Sequence, residues 1–490
     1  MSDSSPTHRG ELPCQDQPPF PLAMSSIERF HWFDDEPDYP NVVYARIEFD
    51  VRINIEVAKK AWEIATAPHP FANIEARHKQ GSIRSVWQWH SPGVNKPLDE
   101  WEHSKFVVLS SEATRNWSIQ DLQCQSRSGC YVGLHVADPS EPARSEIRFV
   151  THHAIADGLA CLKGINDWLV IYNNLISQRE PREGIRSVDP QLIRQRNQLG
   201  LLRWSYLKHL PFQAIALFGA AKFIFRRTAS LKPNREADVK SKDRHEQPDT
   251  TTYPQIVSTW IDEPTTSRVY GLAQQLDINA NAVLLGLWFE TLGHFRKSKT
   301  SDQGHDSDRA FKDWIRVILP MSIRSHADRR LPVTNRTAIV QIDRQPPNAE
   351  EREHFFRMLF REINIIRGYQ LEKMFLIMIR LFSWSDRLLK KMAQNSNSRG
   401  LSVFTDLGRP FLFAHKRLSR QKKKCESIIP VDFELVGPIR RGTPLNLSVS
   451  RFQGKLKLVL HYDRHVVSAN DATELLEMLQ QRLNEATATN

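Results

Sequence analysis

At 490 residues the chain is too long for one ordinary hydrophobic core, so its length predicts two domains. Its 67 Lys and Arg residues outnumber its 56 Asp and Glu residues, and the net charge of +11 favours anionic partners in general. Five cysteines without a C-x-x-C pair argue against a zinc site, and the sequence predicts neither a signal peptide nor a membrane span. We therefore expect a cytoplasmic protein in a reducing compartment.

The first part of the chain predicts a tail followed by an α/β half. Residues 1–20 are rich in Pro, Ser and Gln, and we expect this tail to be disordered. Residues 21–180 form the predicted N-terminal half. Within this half, before residue 147, the residue patterns predict a strand at 42–51, a helix at 55–65, and strands at 71–77 and 82–89.

Residues 147–160, IRFVTHHAIADGLA, predict a strand, a sharp turn and a helix. β-branched and aromatic residues predict the strand, and Asp157 is the predicted N-cap of the helix. Because adjacent strand residues face opposite sides, His152 and His153 are expected to have different roles. A histidine on such a turn suits general-base chemistry, since its ordinary pKa lies near neutrality. Gly158 would let backbone or substrate approach closely.

Residues 181–252 are predicted to link the two halves. Within them, residues 199–227 are apolar and basic together, which fits two alternatives. The segment is either a pair of helices packed on the domain, or an element at a membrane surface or an acyl channel with its basic residues near anionic head groups. Peripheral membrane contact is therefore one expectation from the sequence.

Residues 253–490 form the predicted C-terminal half. Gln453-Gly454 predicts a hairpin turn, and Ser468 the cap of a closing helix. The expected elements are a strand at 255–260, an apolar helix from 279, helices at 350–366 and 371–392, a hairpin at 445–462 and a helix at 468–483.

The pattern His-His-x-x-x-Asp-Gly, from His152 to Gly158, resembles the signature of an acyltransferase superfamily. The superfamily includes chloramphenicol acetyltransferase, peptide-synthetase condensation domains, polyketide-associated acyltransferases and wax ester synthase/diacylglycerol acyltransferases. In the second half, Asn281 matches the first residue of a wax ester synthase Asn-Asp pair, with alanine replacing the Asp. Arg324 ends a strand similar to the family's Pro-Val-Ser-Leu-Arg, and Asn335 lies in a segment similar to Gly-Asn-x-x-Ser.

The resemblance implies an α/β fold of two chloramphenicol acetyltransferase-like halves, with mixed sheets and a tunnel between them. His153 would be the general base in that tunnel, and His152 would be buried and hydrogen-bonded. Asp157 would pair with an arginine, with Arg324 as the first choice and Arg77 as the second.

Two asparagines complete the site that the resemblance implies. Asn335, or a backbone N–H near it, would stabilise the tetrahedral oxyanion, and Asn281 is a second candidate for the oxyanion or the tunnel lining. The resemblance requires no metal and no bound cofactor, because acyl-CoA or an acyl carrier protein is a substrate.

The implied activity moves an acyl group from an acyl thioester to a hydroxyl or amine acceptor, in lipid or secondary-metabolite ester formation. The wax ester synthase-like features favour a fatty acyl-CoA. One alternative is a condensation-type enzyme that acts on an acidic carrier protein in trans. Another is a non-catalytic relative that binds acyl chains or membranes. No nucleic-acid partner is expected.

Overall fold

A computed structural model of the chain describes residues 20–79, 86–91, 105–109, 129–137, 142–199, 204–214, 226, 228–229, 231, 253–301, 313–394, 400–412 and 428–488. The predicted disordered tail lies outside these ranges except for Phe20, as does 215–225 of the apolar and basic segment. The two predicted halves are described in turn below.

The first half contains short strands around two long helices. Helix α2 begins at Asn54, whose side chain accepts a hydrogen bond from the Val57 N–H at 3.1 Å. Among the described residues its elements are β1 (Leu22–Ala23), α1 (Ser26–Phe33), β2 (Val42–Phe49), α2 (Ile55–Thr66), β3 (Glu75–Lys79), β4 (Val86–His90), β5 (Lys105–Val108), β6 (Cys130–Val136), β7 (Ser145–His152) and α3 (Gly158–Ile176).

The second half follows a short helix in the linker, α4 (Trp204–Leu207). Its predicted hairpin and closing helix are confirmed, and Gln453 and Gly454 both have positive φ, as a two-residue hairpin turn requires. Its described elements are β8 (Ile256–Ile261), α5 (Glu263–Gln275), α6 (Ala280–Ser301), β9 (Ile315–Ser322), β10 (Thr337–Arg344), α7 (Arg352–Gly368), α8 (Lys373–Phe382), α9 (Asp386–Ala393), β11 (Ser402–Asp406), β12 (Asp432–Val436), β13 (Leu445–Phe452), β14 (Lys455–Tyr462) and α10 (Ala469–Ala488).

Each half has its own mixed sheet with helices packed on it. The first sheet has the order β12-β2-β7-β6-β5, and the second has the order β10-β9-β11-β13-β14-β8. On β7, Ile147 and Phe149 pack with α2 and α3, whereas Val150 lies in a separate apolar cluster with Val459 of the second sheet. The first sheet therefore has one face toward its helices and the other toward the second half.

One strand crosses between the halves. β12 lies far along the chain but pairs antiparallel with β2, with Phe433 opposite Ile47. The sequence-based boundary, which places all of 253–490 in the second half, does not describe this crossover, because strand pairing depends on contacts that local patterns do not encode.

A small sheet, β1-β4-β3, holds α1 against the first half. The Glu28 carboxylate of α1 is buried and accepts hydrogen bonds from the backbone N–H of Ser25, from Trp89 Nε1 and from the Arg196 guanidinium. Buried carboxylates are stable only when they are paired in this way, so these bonds fix the position of α1.

The predicted single helix over 371–392 is wrong. The structure has two helices, α8 and α9, with a break at Ser383–Ser385. Arg29 of α1 donates to the Ser383 carbonyl oxygen at 2.8 Å and to Asp386 Oδ1 at 2.7 Å. Arg29 therefore contacts both the end of α8 and the start of α9. The apolar pattern of the sequence continues across this break, so it gives no local signal that the helix ends there.

Part of the apolar and basic segment is described, at 204–214. Gln213 is buried and donates to the Tyr369 carbonyl oxygen, whereas Leu210 and Phe212 are each about half exposed. This part packs on the second half, and peripheral membrane contact stays a prediction. Within the described residues, no helix is both long enough and apolar enough to cross a membrane.

Candidate active site

The two histidines lie where β7 ends, at the junction of the two halves. β2 pairs with β7 so that Val42 lies opposite His152, and the His153 N–H donates to the Asn41 carbonyl oxygen at 2.8 Å. The turn then leads into α3, where Asp157 is the N-cap, as predicted, and accepts from the Ala160 N–H at 2.9 Å.

His152 is fully buried below the turn. Its Nδ1 accepts a hydrogen bond from the Ala154 N–H at 3.1 Å, so the ring hydrogen of the neutral form is on Nε2. Nε2 lies 3.5 Å from Asp35 Oδ2. The His152 ring is directed at the protein interior, where it supports the turn. Of the two histidines, His153 is therefore the candidate for contact with a substrate.

Asp157 joins the two halves. Its Oδ2 accepts from the Arg324 guanidinium at 2.7 Å, from the Arg336 N–H at 2.7 Å and from the Thr337 hydroxyl at 2.9 Å. Burial alone would raise the pKa of this carboxyl, but Arg324 and the N–H donors hold the pKa below its usual value. The carboxylate is therefore charged and anchors α3 to the start of β10.

The second-choice partner of Asp157 was wrong, and Gly158 is less constrained than expected. Arg77 is exposed and pairs with Glu75 at 2.7 Å. A Cβ added to Gly158 would meet Leu435 Cδ2 at 3.4 Å, which is an ordinary contact. Crowding around Gly158 therefore does not by itself require a glycine there.

His153 is held from the second half by Asn335. The Asn335 Nδ2 group donates to the His153 carbonyl oxygen at 2.7 Å and lies 2.9 Å from His153 Nδ1, while its Oδ1 accepts from the Thr337 N–H at 3.0 Å. The amide is therefore directed at His153 itself and fixes the backbone and the ring together.

Which ring nitrogen is protonated decides what His153 can do. With hydrogen on Nδ1, Nε2 is free to accept a proton; with hydrogen on Nε2, Nδ1 accepts from Asn335. Only the first tautomer is a base at Nε2. The His153 ring also donates a hydrogen bond to its own backbone carbonyl oxygen, which raises its pKa against the effect of burial and favours hydrogen on Nδ1. Nε2 is therefore the free nitrogen, and Asn335 holds the ring's backbone through the same carbonyl oxygen.

Burial lowers the pKa of His153 to about 4, with a smaller contribution in the same direction from Arg440. The residue as a whole is half-buried at the junction. It is consequently neutral at pH 7, and a neutral imidazole is the form that a general base requires.

His31 of α1 is a site residue that the sequence analysis missed. Its ring stacks on the His153 ring, with the centroids 4.4 Å apart and the planes 1° from parallel. Its Nδ1 lies 3.4 Å from the Arg440 guanidinium and 3.4 Å from the Asn41 side-chain NH2 group. Both of these groups can only donate hydrogen bonds. Nδ1 is therefore unprotonated, and His31 presents an N–H at Nε2. Burial, followed by His153 and Arg440, holds its pKa well below the ordinary value.

The remaining candidate, Asn281, lies in the first turn of α6. Its neighbour Asn279 caps this helix by accepting from the Ala282 N–H at 2.9 Å. Among the described contacts, none joins Asn281 to His153. The described residues also contain no group of three or more His, Cys, Asp or Glu side chains placed to hold a metal ion.

Solved structures with the same fold are numerous, although identity is low. A condensation domain, the first of the calcium-dependent antibiotic synthetase, matches with a TM-score of 0.64 at 12% identity over 96% of each chain. TRI3 trichothecene 15-O-acetyltransferase from Fusarium sporotrichioides gives 0.63 at 11% over 94% of each chain. Polyketide synthase associated protein 5 from Mycobacterium tuberculosis gives 0.59 at 13%, over 95% of this chain and 98% of that one.

No model of a protein family matches the chain, and no curated protein sequence matches it. The structural matches nevertheless confirm the predicted fold. The chain has the two-lobed, chloramphenicol acetyltransferase-like architecture that condensation domains and the matched acetyltransferase share.

Proposed function

We propose that this protein is an acyltransferase in which His153 is the general base. The observation that carries the proposal is the state of His153, a neutral histidine with a pKa lowered to about 4, held at the junction of the halves by Asn335. The fold supports the proposal, because solved structures with the same architecture include a trichothecene 15-O-acetyltransferase and condensation domains.

In the proposed reaction an alcohol or amine attacks the carbonyl carbon of an acyl thioester while His153 Nε2 takes its proton. A tetrahedral oxyanion forms, then collapses as the carbon–sulfur bond breaks, and the thiol leaves with the proton from His153. The acceptor is itself the nucleophile, so no acyl-enzyme is needed. His31 Nε2–H is the donor that we assign to the region of the oxyanion, because both contacts of the Asn335 NH2 group are with His153.

The acyl donor is either acyl-CoA or an acyl group on a carrier protein, and both are anionic. The net charge of +11 suits either donor. A condensation reaction in trans on a carrier protein is the second candidate, and it is favoured by the condensation domains among the structural matches. An alcohol as acceptor is favoured by the matched 15-O-acetyltransferase.

We expect the protein to release free CoA from an acyl-CoA only when an acceptor is present. The assay follows the thiol with a chromogenic disulfide across a panel of acyl-CoAs and alcohols or amines, with acceptor-free and protein-free controls. Release from a carrier-bound acyl group but from no acyl-CoA would favour the condensation reaction. No release from either donor would assign the chain to the non-catalytic alternative.

The lowered pKa of His153 predicts an acid-tolerant reaction. With a pKa of about 4 the base stays neutral well below pH 7, so kcat/KM with an alcohol acceptor should change less than about twofold between pH 7.5 and 5.5. An ordinary histidine would lose about tenfold over that range. A kcat/KM profile, with circular dichroism at each pH to exclude unfolding, measures this. An acid limb centred near 6.5 would contradict the assigned environment of His153.

A further inference from the structure

An apolar cavity lies between the sheet of the first half and helices α2 and α3, and Val333 of the second half completes its wall. Its volume is about 40 Å³. That is room for about three water molecules, or for a short alkyl chain. Its wall is formed by Val43, Ala45 and Phe149 of the sheet and by Ile165 and Gly164 of α3.

Two buried N–H donors in this wall have no hydrogen-bond partner. His69 and Trp62 both line the cavity and are 5% and 3% exposed. His69 Nδ1 accepts from the Val333 N–H at 3.1 Å, so its hydrogen is on Nε2, and both His69 Nε2 and Trp62 Nε1 are unpartnered. Buried donors are almost always paired, so two in one apolar wall indicate that an acceptor belongs there.

The cavity lies beside the proposed catalytic group. Its wall includes Thr151, two residues before His153, and Val333, two residues before Asn335. Two residues of extended chain span about 7 Å. His153 and Asn335 contact each other across the two halves. The wall residues Thr151 and Val333 therefore lie close to this contact.

We propose that this cavity holds the acyl group of the donor thioester, and that the preferred group is short and carries one oxygen, such as a 3-hydroxybutyryl group. The inference rests on the proposed function and makes its substrate specific. A volume of about 40 Å³ suits a short acyl group better than a long fatty chain, and a plain alkyl chain would leave the two N–H donors unpaired. The proposed donor therefore differs from the fatty acyl-CoA that the sequence favours.

The first experiment compares acetyl-, butyryl-, 3-hydroxybutyryl-, octanoyl- and palmitoyl-CoA at saturating alcohol. The highest kcat/KM is expected for 3-hydroxybutyryl-CoA, at least about tenfold above butyryl-CoA, since a site with buried hydrogen-bonding groups discriminates against a ligand that leaves them unpaired. Trp62→Phe removes one donor and should lower that ratio. Equal use of the two four-carbon groups overturns the oxygen assignment, and a preference for palmitoyl-CoA overturns the cavity assignment.

The second experiment fills the cavity from Gly164. A Cβ built on Gly164 meets only Val333, at 4.0 Å, so Gly164→Ala and Gly164→Leu extend into open space. The ratio of 3-hydroxybutyryl to acetyl transfer should fall with side-chain size, at least about tenfold for leucine. Gly271→Leu is the matched control, because Gly271 is inside α5 with nothing within 4 Å of its added Cβ. An unchanged ratio in both Gly164 variants overturns the proposal.

A binding measurement separates this proposal from the proposed function. 3-Hydroxybutyryl-CoA without acceptor should raise the Tm of the wild-type protein by more than acetyl-CoA does, and this difference should vanish in Gly164→Leu. That result without any turnover would keep the cavity and reject the acyltransferase assignment. Turnover of acetyl-CoA with no difference in Tm would reject the cavity and keep the acyltransferase.

Discussion

Replacement of His153 by alanine is expected to lower kcat by about 10²–10⁴-fold, because a general base contributes that much to the proton transfer in the transition state. KM should change little, since the imidazole acts on the acceptor proton and not on the binding of the thioester. Steady-state kinetics with an acyl-CoA and an alcohol measure both constants. Residual activity above a tenth of the wild-type value would remove His153 from the role of base.

A matched control for this variant is His294→Ala. His294 lies on α6, is also half-buried, and has a pKa that is also lowered by burial, but it lies outside the group around His153. Its replacement should leave kcat within about twofold. A thermal melt of His153→Ala should show an intact fold, because the residue is only half-buried and its principal contacts are the His31 stack and Asn335.

Replacement of Asp157 by asparagine is expected to lower the free energy of unfolding by about 3–5 kcal/mol, because it leaves the Arg324 guanidinium facing a neutral amide in a part-buried site. The asparagine Nδ2 group would also face the Arg336 N–H, which is a donor. Activity should fall mainly through this loss of structure. Urea denaturation measures the change.

The pH dependence of this effect has a definite sign. The folded-state pKa of Asp157 is below its unfolded value of about 3.9, so its contribution to stability is present above pH 4 and is lost as the pH falls through the folded-state pKa. The difference in stability between wild type and Asp157→Asn should therefore be full at pH 7 and shrink below pH 4.

Two further variants test the assignment of Asp157 as structural. Asp386→Asn breaks the partly exposed pair with Arg29 and should cost about 1 kcal/mol or less. The double variant Asp157→Asn/Arg324→Gln should cost less than the sum of the single changes, because the pair is already broken in each. An unchanged Tm with no activity in Asp157→Asn would instead place this carboxylate in the chemistry.

Local signals predicted much of the fold. The N-cap at Asp157, the hairpin turn at Gln453-Gly454 and the cap of α10 at Ser468 each depend on residues within a few positions of one another. The pairing of Arg324 with Asp157 was named from a family resemblance, and the structure places the two at 2.7 Å.

The features that the sequence did not predict depend on contacts between segments that are far apart in the chain. The stack of His31 on His153 depends on the position of α1, which Trp89 and Arg196 help to hold through Glu28. A lone histidine in an opening helix carries no pattern that would identify it. The Asn335 amide was expected near an oxyanion, but its orientation is set by the start of β10, and it is directed at His153.

The crossover strand β12 also has a consequence for the order in which the protein is made. β12 is the edge partner of β2, yet it is translated after β8 to β11 and α5 to α9 of the second half. Until residues 432–436 leave the ribosome, β2 exposes a row of unpaired N–H and C=O groups, which is a site for wrong pairing. The nascent first half, with His152 and His153 on the neighbouring strand and turn, therefore acquires its complete sheet only after β8 to β11 of the second half have been made.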